Sequence, residues 1–140
     1  MNQQVSVSII NPSTSIFVKN LATVEDIFRG HWGVSNIRLR EQSSALHLRE
    51  DFSLIGIQDF AMGQLDSVSR DDELVIACAL LVQSKYIIPI HNHPSDNTEP
   101  SKDDMESAVR LQNRAGFFDI TVLEEVIVGL NTVNSFSVGA

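Results

Sequence analysis

The stretch that decides the fold of this chain reads His91-Asn92-His93-Pro94-Ser95-Asp96-Asn97-Thr98-Glu99-Pro100-Ser101-Lys102-Asp103-Asp104. An apolar run over residues 86–90 precedes it and predicts a buried strand that continues into the two histidines. A loop rich in proline, asparagine and serine follows, and Ser101 with its acidic successors marks the start of a helix. The stretch therefore predicts that a strand end, a loop and a helix N-terminus meet at one point.

The two histidines are predicted to share one face of the strand. Because side chains two residues apart in a strand point to the same side, His91 and His93 present their imidazoles together. Asp104, three residues after the predicted N-cap Ser101, can turn its carboxylate toward them as a third ligand. Two imidazoles and one carboxylate leave one coordination position open for water, which is typical of a catalytic zinc site.

Each half of this pattern also has a purely structural interpretation. Ser101 and Asp104 have the spacing of a helix-capping pair, and capping alone would explain them. Histidines two residues apart occur by chance on protein surfaces. The joint pattern is more specific. It resembles the signature of the JAMM (MPN+) metalloproteases, and the run from His91 to Ser95 looks like the RadC-type bacterial branch of that family.

The resemblance covers residues 37–138 and implies a JAMM-type α/β fold, a mixed sheet flanked by helices. It implies a zinc ion held by His91, His93 and Asp104, although such a site would also suit iron, manganese or cobalt. It further implies that Ser101 donates a hydrogen bond to the oxyanion that forms when water attacks an amide carbonyl. The implied activity is that of a zinc-dependent peptidase or isopeptidase with a protein or peptide substrate.

The same resemblance implies an upstream glutamate as the general acid/base, and the chain offers two candidates. Leu39-Arg40-Glu41 and Leu48-Arg49-Glu50 are near copies of each other. Placing Glu41 at the family position lets the chain run to His91 without a gap and leaves Glu50 at a hairpin tip in solvent. We therefore predict Glu41 as the acid/base and keep Glu50 as the alternative.

The chain departs from the RadC-type pattern at several places. Asp96 stands where glycine is usual, and Glu124-Glu125 stands where Asp-His is usual. No counterpart of the helical N-terminal region of full-length RadC proteins is predicted. These departures bear on substrate and partner recognition. Because RadC-type proteins carry a historical DNA-repair label, the resemblance also implies an alternative function, that of a non-catalytic or DNA-repair-associated accessory domain. A zinc deaminase is disfavoured because the chain has one cysteine, Cys78, and cannot supply a Cys-x-x-Cys ligand pair.

Length and composition predict a single domain over residues 1–140. The extent of the resemblance implies a core over 37–138, preceded by a strand/helix extension over 1–36. The N-terminus lacks a signal-peptide pattern and no segment is long enough to span a bilayer, so we expect a cytoplasmic protein with no membrane partner. The net charge is −8, with ten Lys and Arg residues scattered among eighteen acids. This charge disfavours direct nucleic-acid binding, although net charge does not exclude a local basic patch. The sequence does not indicate an oligomeric state.

Local patterns outside the motif predict the remaining elements. We expect a helix from Thr23 to Gly30, a helix leading into the histidine strand and a helix from Ser101 to Gly116. We expect His47 to face solvent or to be partly buried, and Cys78 to be a packed core thiol. We also expect an opening hairpin of residues 5–9 and 15–18 around a turn at 11–13. A second, antiparallel hairpin is predicted to pair residues 37–48 with 53–57. A loop over 63–69 and closing strands at 120–123, 126–129 and 135–138 complete the predicted elements.

Overall fold

A seven-stranded mixed sheet forms the centre of the fold in the computed structural model, which describes residues 5–9, 15–60 and 71–137. The strand order is β1-β3-β2-β4-β6-β7, with β5 also paired to β4. Strand β4 runs parallel to β5 and β6, and the other neighbouring strands are antiparallel. The strands are β1 (Val5–Ile9), β2 (Ser43–Leu48), β3 (Leu54–Phe60), β4 (Tyr86–Asn92), β5 (Thr121–Val122), β6 (Glu125–Val128) and β7 (Val133–Phe136). The predicted α/β class with a mixed sheet is confirmed.

The described residues form four helices, which pack on both faces of this sheet: α1 (Leu21–Trp32), α2 (Val34–Leu39), α3 (Asp72–Val82) and α4 (Lys102–Gly116). None of these helices is long and apolar enough to cross a membrane. The predicted turn at residues 11–13 and the predicted loop over residues 63–69 lie outside the described ranges.

Two buried apolar clusters hold the helices to the sheet, and alternate residues of the central strands supply them. Leu46 of β2 and Ile88 of β4 face one cluster, whereas their neighbours Ala45 and Ile87 face the other. The first cluster includes Val24, Phe28 and Trp32 of α1 and Ile37 of α2. The second includes Val75, Ile76 and Ala79 of α3 and Leu111 and Ala115 of α4. A strand covered on both faces is apolar at almost every position, which explains the unbroken apolar run before His91.

The predicted opening hairpin is wrong. Strand β1 pairs with β3, in a register that runs from Val5 opposite Phe60 to Ile9 opposite Gly56. Of the second predicted strand, Phe17 makes an isolated bridge to Ser53. The free edge of β3 offers β1 a ladder of five residue pairs, whereas a two-stranded hairpin alone is marginally stable.

The strand predicted from residue 37 is also corrected, because the chain forms the short helix α2 there. Ile37 is buried in the first cluster while Arg38, Leu39 and Arg40 are exposed, which is the burial pattern of a helix and not of an alternating strand. Strand β2 then begins at Ser43. Helix α1, which lies in the predicted N-terminal extension, packs into the core through its buried side chains.

Cys78 is a buried free thiol, as predicted, but the prediction for His47 is wrong. The His47 side chain is 1% exposed on the face of β2 that packs toward α3. Gln58 donates its amide N–H to the carbonyl of Leu74, so its Oε1, 2.9 Å from His47 Nε2, accepts the imidazole N–H. Among the described residues His47 Nδ1 has no hydrogen-bond partner. Burial lowers the pKa of this imidazole, and the bond to Gln58 opposes that effect only in part.

Candidate metal centre

The two histidines of the motif lie at the C-terminal end of β4, on the sheet face covered by α3 and α4. His91 pairs with Ser43 of β2 on one side and with Ile127 of β6 on the other. His91 and Ile87 are four residues apart in the same strand, so both point toward the second apolar cluster. The Nε2 atoms of His91 and His93 lie 3.2 Å apart.

Helix α4 brings the third side chain to the histidines. Ser101 is its N-cap, and the Ser101 hydroxyl accepts a hydrogen bond of 3.0 Å from the backbone N–H of Asp104. The Asp104 carboxylate accepts in return from the backbone N–H of Ser101 at 2.8 Å. The carboxylate lies 3.3 Å from His91 Nε2 through Oδ1 and 3.4 Å from His93 Nε2 through Oδ2.

The spacing of these atoms fits a tetrahedral zinc ion. Bonds of about 2.0–2.1 Å to a tetrahedral zinc set its ligand atoms about 3.3–3.4 Å apart. The two Nε2 atoms lie 3.2 Å apart, His91 Nε2 lies 3.3 Å from Asp104 Oδ1, and His93 Nε2 lies 3.4 Å from Asp104 Oδ2. Within the part of the chain that the structure describes, these residues form the one group of three or more His, Cys, Asp and Glu side chains close enough to hold a metal ion.

The tautomer of His93 also suits a ligand. Its Nδ1 lies 2.6 Å from the backbone carbonyl of Asn97, so Nδ1 carries the proton and donates it to that oxygen. The Nε2 atom is then left with a lone pair directed at His91 and Asp104. Metal-binding histidines are commonly oriented by such a hydrogen bond from the second ring nitrogen.

The Asp104 carboxylate is held in its ionised form. Burial by itself raises the pKa of the Asp104 carboxyl, but hydrogen bonds from His91 and from the Ser101 backbone and the electrostatic interaction with His91 outweigh it, so the pKa lies well below its usual value. The positive end of the α4 dipole favours the same anion. The side chains of His91, His93 and Asp104 are 15%, 18% and 19% exposed, so the group remains accessible from solvent.

The structure separates the two candidate glutamates. Strand β2 begins at Ser43, which pairs with His91, and the backbone N–H of Asn92 donates to the carbonyl of Gln42. Glu41 directly precedes Gln42 and therefore lies at the end of β2 that is next to the histidines. Glu50 is exposed in the turn at the other end of β2. Glu41 is half-buried and is not part of the close ligand group. The sheet thus brings Glu41, and not Glu50, to the end that carries the histidines.

Asp96 joins two loops, a role that no local sequence pattern indicates. It has a φ of +67°, a conformation that favours glycine but that aspartate tolerates. Its carboxylate accepts hydrogen bonds from the Asn131 backbone at 3.0 Å and the Thr132 hydroxyl at 2.9 Å, and these bonds lower the pKa of Asp96. The side chain therefore ties the histidine loop to the turn between β6 and β7. Gly129 in that turn has no room for a side chain, because an added Cβ would overlap the Asp96 carboxylate.

Comparison with known proteins gives an independent result. The family model of the RadC-like JAB domain matches residues 18–139. A UPF0758 protein of Chromohalobacter salexigens is 37% identical over 97 residues, which cover 69% of this chain and 43% of that protein. A UPF0758 protein of a serogroup C Neisseria meningitidis strain is 30% identical over 122 residues, or 87% of this chain and 53% of that protein. The chain spans about half the length of the curated relatives it matches, and their names state no activity.

Proposed function

The chain belongs to the RadC-like JAB domain family, and we propose that it is a zinc-dependent metallohydrolase of the JAMM peptidase or isopeptidase type. The observation that carries the proposal is the close grouping of His91, His93 and Asp104, whose two Nε2 atoms lie 3.2 Å apart and within 3.3 and 3.4 Å of the Asp104 oxygens Oδ1 and Oδ2. A site with three protein ligands leaves a position for water, as catalytic zinc sites do.

In this proposal His91, His93 and Asp104 hold the zinc ion. The Asn97 carbonyl fixes the ring of His93, and the Ser101 backbone N–H fixes the carboxylate of Asp104. When bound, zinc supplies Lewis acidity, which lowers the pKa of a coordinated water to about 7 and polarises a carbonyl group.

Glu41 is the proposed general acid/base. Its place just before β2, at the end of that strand where Ser43 pairs with His91, is suited to a carboxylate that takes a proton from the attacking water and delivers it to the leaving amine nitrogen. Glu41 stands outside the ligand group, as an acid/base that acts on a water molecule must.

Ser101 is the proposed donor to the oxyanion. Its oxygen already accepts the Asp104 N–H, so the hydroxyl hydrogen remains to be donated. Removal of one such donor costs about 10²- to 10³-fold in turnover in other hydrolases. The accessible position of the site at the sheet end supports a protein or peptide as substrate.

Metal content tests the proposal. Purified wild type is compared by elemental mass spectrometry with Asp104→Asn, which keeps an oxygen acceptor for the Ser101 N–H but loses the charge. Asp103→Asn is the matched control, because Asp103 stands in the same helical turn outside the ligand group. We expect about one zinc per chain in wild type and control, and loss of zinc in Asp104→Asn.

Zinc-loaded protein is then screened against peptide and isopeptide substrates, with Glu41→Gln as the inactive control. Failure of folded wild type to bind zinc, even when zinc is supplied, would contradict the hydrolase assignment. A non-catalytic accessory domain would then be the better description of the chain.

A further inference from the structure

Asn92, the residue between the two histidines, faces the opposite side of the sheet from them and is fully buried. Its amide nitrogen donates to the carbonyls of Ile37 at 2.7 Å and Arg40 at 2.9 Å. Its amide oxygen accepts from the backbone N–H of Gln42 at 2.6 Å. These three bonds join the strand of the ligands to a segment 50 or more residues earlier in the chain.

The three residues to which Asn92 is hydrogen-bonded lie on both sides of Glu41 in the chain. Arg40 and Gln42 are its two neighbours in the chain, and Ile37 lies in the last turn of α2, where helix carbonyls lack partners within the helix. Glu41 itself belongs neither to α2 nor to β2, so no regular backbone ladder determines its position. The clasp formed by Asn92 with Ile37, Arg40 and Gln42 supplies the missing constraint.

Asparagine has the donors and acceptor that this position needs. The clasp uses two N–H donors and one oxygen acceptor from a single short side chain. Aspartate has the same shape but no hydrogen-bond donor when it is ionised. Its negative carboxylate would repel the carbonyl oxygens of Ile37 and Arg40. Alanine would leave the same backbone groups buried without partners.

On the basis of the proposed function, we propose that Asn92 is a positioning residue, which holds Glu41 at the metal site through hydrogen bonds to the backbone on both sides of it. Asn92 touches neither metal nor substrate in this role. Asn92 thereby sets the distance from Glu41 to the two ligands that flank Asn92 in sequence, His91 and His93.

Paramagnetic NMR of the Co²⁺-loaded protein tests this role, because a His/His/Asp site also takes cobalt. The readout is the relaxation enhancement at the ¹³C-labelled side-chain carboxyl carbon of Glu41, which falls steeply with distance from the ion. The amide of Ser43, paired with His91, reports in the same sample whether metal and sheet are in place. We expect both enhancements in wild type, and in Asn92→Asp the loss of the Glu41 enhancement with that of Ser43 retained.

Asn36→Ala is the matched control, since Asn36 also bonds from α2 to a backbone carbonyl, that of Trp32, but has no part in the clasp. It should keep both enhancements. If Asn92→Asp also keeps both, the positioning role is wrong while the metal site stands. If wild type shows enhancement at Ser43 but not at Glu41, the acid/base assignment fails and the inference fails with it. If wild type binds no cobalt, the metal site fails.

Hydrogen exchange of unmodified protein keeps the test independent of whether Asn92 variants fold. The amide of Gln42 lies outside any strand, yet the clasp predicts that it exchanges as slowly as the amides of β2, at least about tenfold more slowly than the exposed amide of Glu50. Exchange of Gln42 at the rate of Glu50 would overturn the proposal.

Discussion

Ser101 and Asp104 hold each other by two reciprocal hydrogen bonds, from the Asp104 backbone N–H to the Ser101 hydroxyl and from the Ser101 backbone N–H to the Asp104 carboxylate. The same carboxylate lies within 3.4 Å of both histidine Nε2 atoms. The capping and metal-binding interpretations of this pair are therefore compatible, because one carboxylate has oxygen lone pairs for both tasks. Because both residues of the pair serve the helix cap, a proposed role at the metal site is measured with substitutions that keep the cap.

At Ser101, substitution can separate helix capping from the proposed hydrogen bond to the oxyanion. Ser101→Gly removes the hydroxyl but costs a helix only a few tenths of a kcal/mol at the N-cap, whereas Ser101→Ala costs about 1 kcal/mol. We expect both variants to lose about 10²- to 10³-fold in turnover, while Ser101→Thr retains most of it. Turnover of the peptide substrate and urea unfolding are measured side by side. Full turnover in Ser101→Gly would leave capping as the only role of this residue.

The two glutamates are distinguished by matched substitutions. Glu41→Gln should lower turnover by about 10²- to 10⁴-fold with zinc content unchanged, because a general acid/base is lost and no ligand is touched. Glu50→Gln, in the exposed turn, should leave turnover as in wild type. The opposite pattern would show that the assignment of the acid/base to Glu41 is wrong.

Gly129→Ala should destabilise the protein, because its Cβ would overlap the carboxylate of Asp96. We expect a loss of about 1–3 kcal/mol in the free energy of unfolding, measured in urea. The loss should shrink in an Asp96→Ala background, where the closest overlapping atom, Asp96 Oδ1, is gone and Thr132 Oγ1 remains.

Gly30→Ala is the control for that series, since an added Cβ meets nothing within 4 Å inside helix α1. Helix propensity predicts that it stabilises the protein by about 0.5–1 kcal/mol. Equal effects of the two substitutions would show that Gly129 is not crowded by Asp96.

Burial of His47 predicts a loss of stability in mild acid. Its folded-state pKa lies below the ordinary 6.5, so the unfolded chain takes up the proton first as the pH falls. The free energy of unfolding should therefore decline below pH 6.5, by at most about 1.4 kcal/mol per pH unit, until the folded-state pKa is passed. A proton added at Nδ1 would meet no acceptor among the described residues.

The measurement is urea unfolding of metal-free protein at pH 7.5 and 5.5, for wild type and His47→Gln. The other titrating groups are common to both proteins, so the difference between the two pH dependences belongs to His47. We expect the wild type to lose more stability than the variant. Identical pH dependences would mean that His47 is protonated as readily in the folded chain as in the unfolded one.

The features that follow local rules could be predicted from the residues alone. The two-residue period of a strand places His91 and His93 on one face, and the three-residue spacing of a helix cap brings Asp104 back toward its N-cap. The α/β class followed from the same apolar run and from the resemblance that the motif carries. The proposed catalytic roles of these residues and of Glu41 remain predictions, although the group able to hold a metal is the one that the motif indicated.

The features that join distant parts of the chain became visible only in the folded structure. Pairing of β1 with β3, burial of His47, the tie from Asp96 to the β6–β7 turn and the Asn92 clasp each depend on groups far apart in sequence. No local pattern indicates them, because the identity of an asparagine or histidine is the same whether its side chain faces water or a buried carbonyl. A buried polar group must find partners, and only the packed chain determines which backbone groups are within reach.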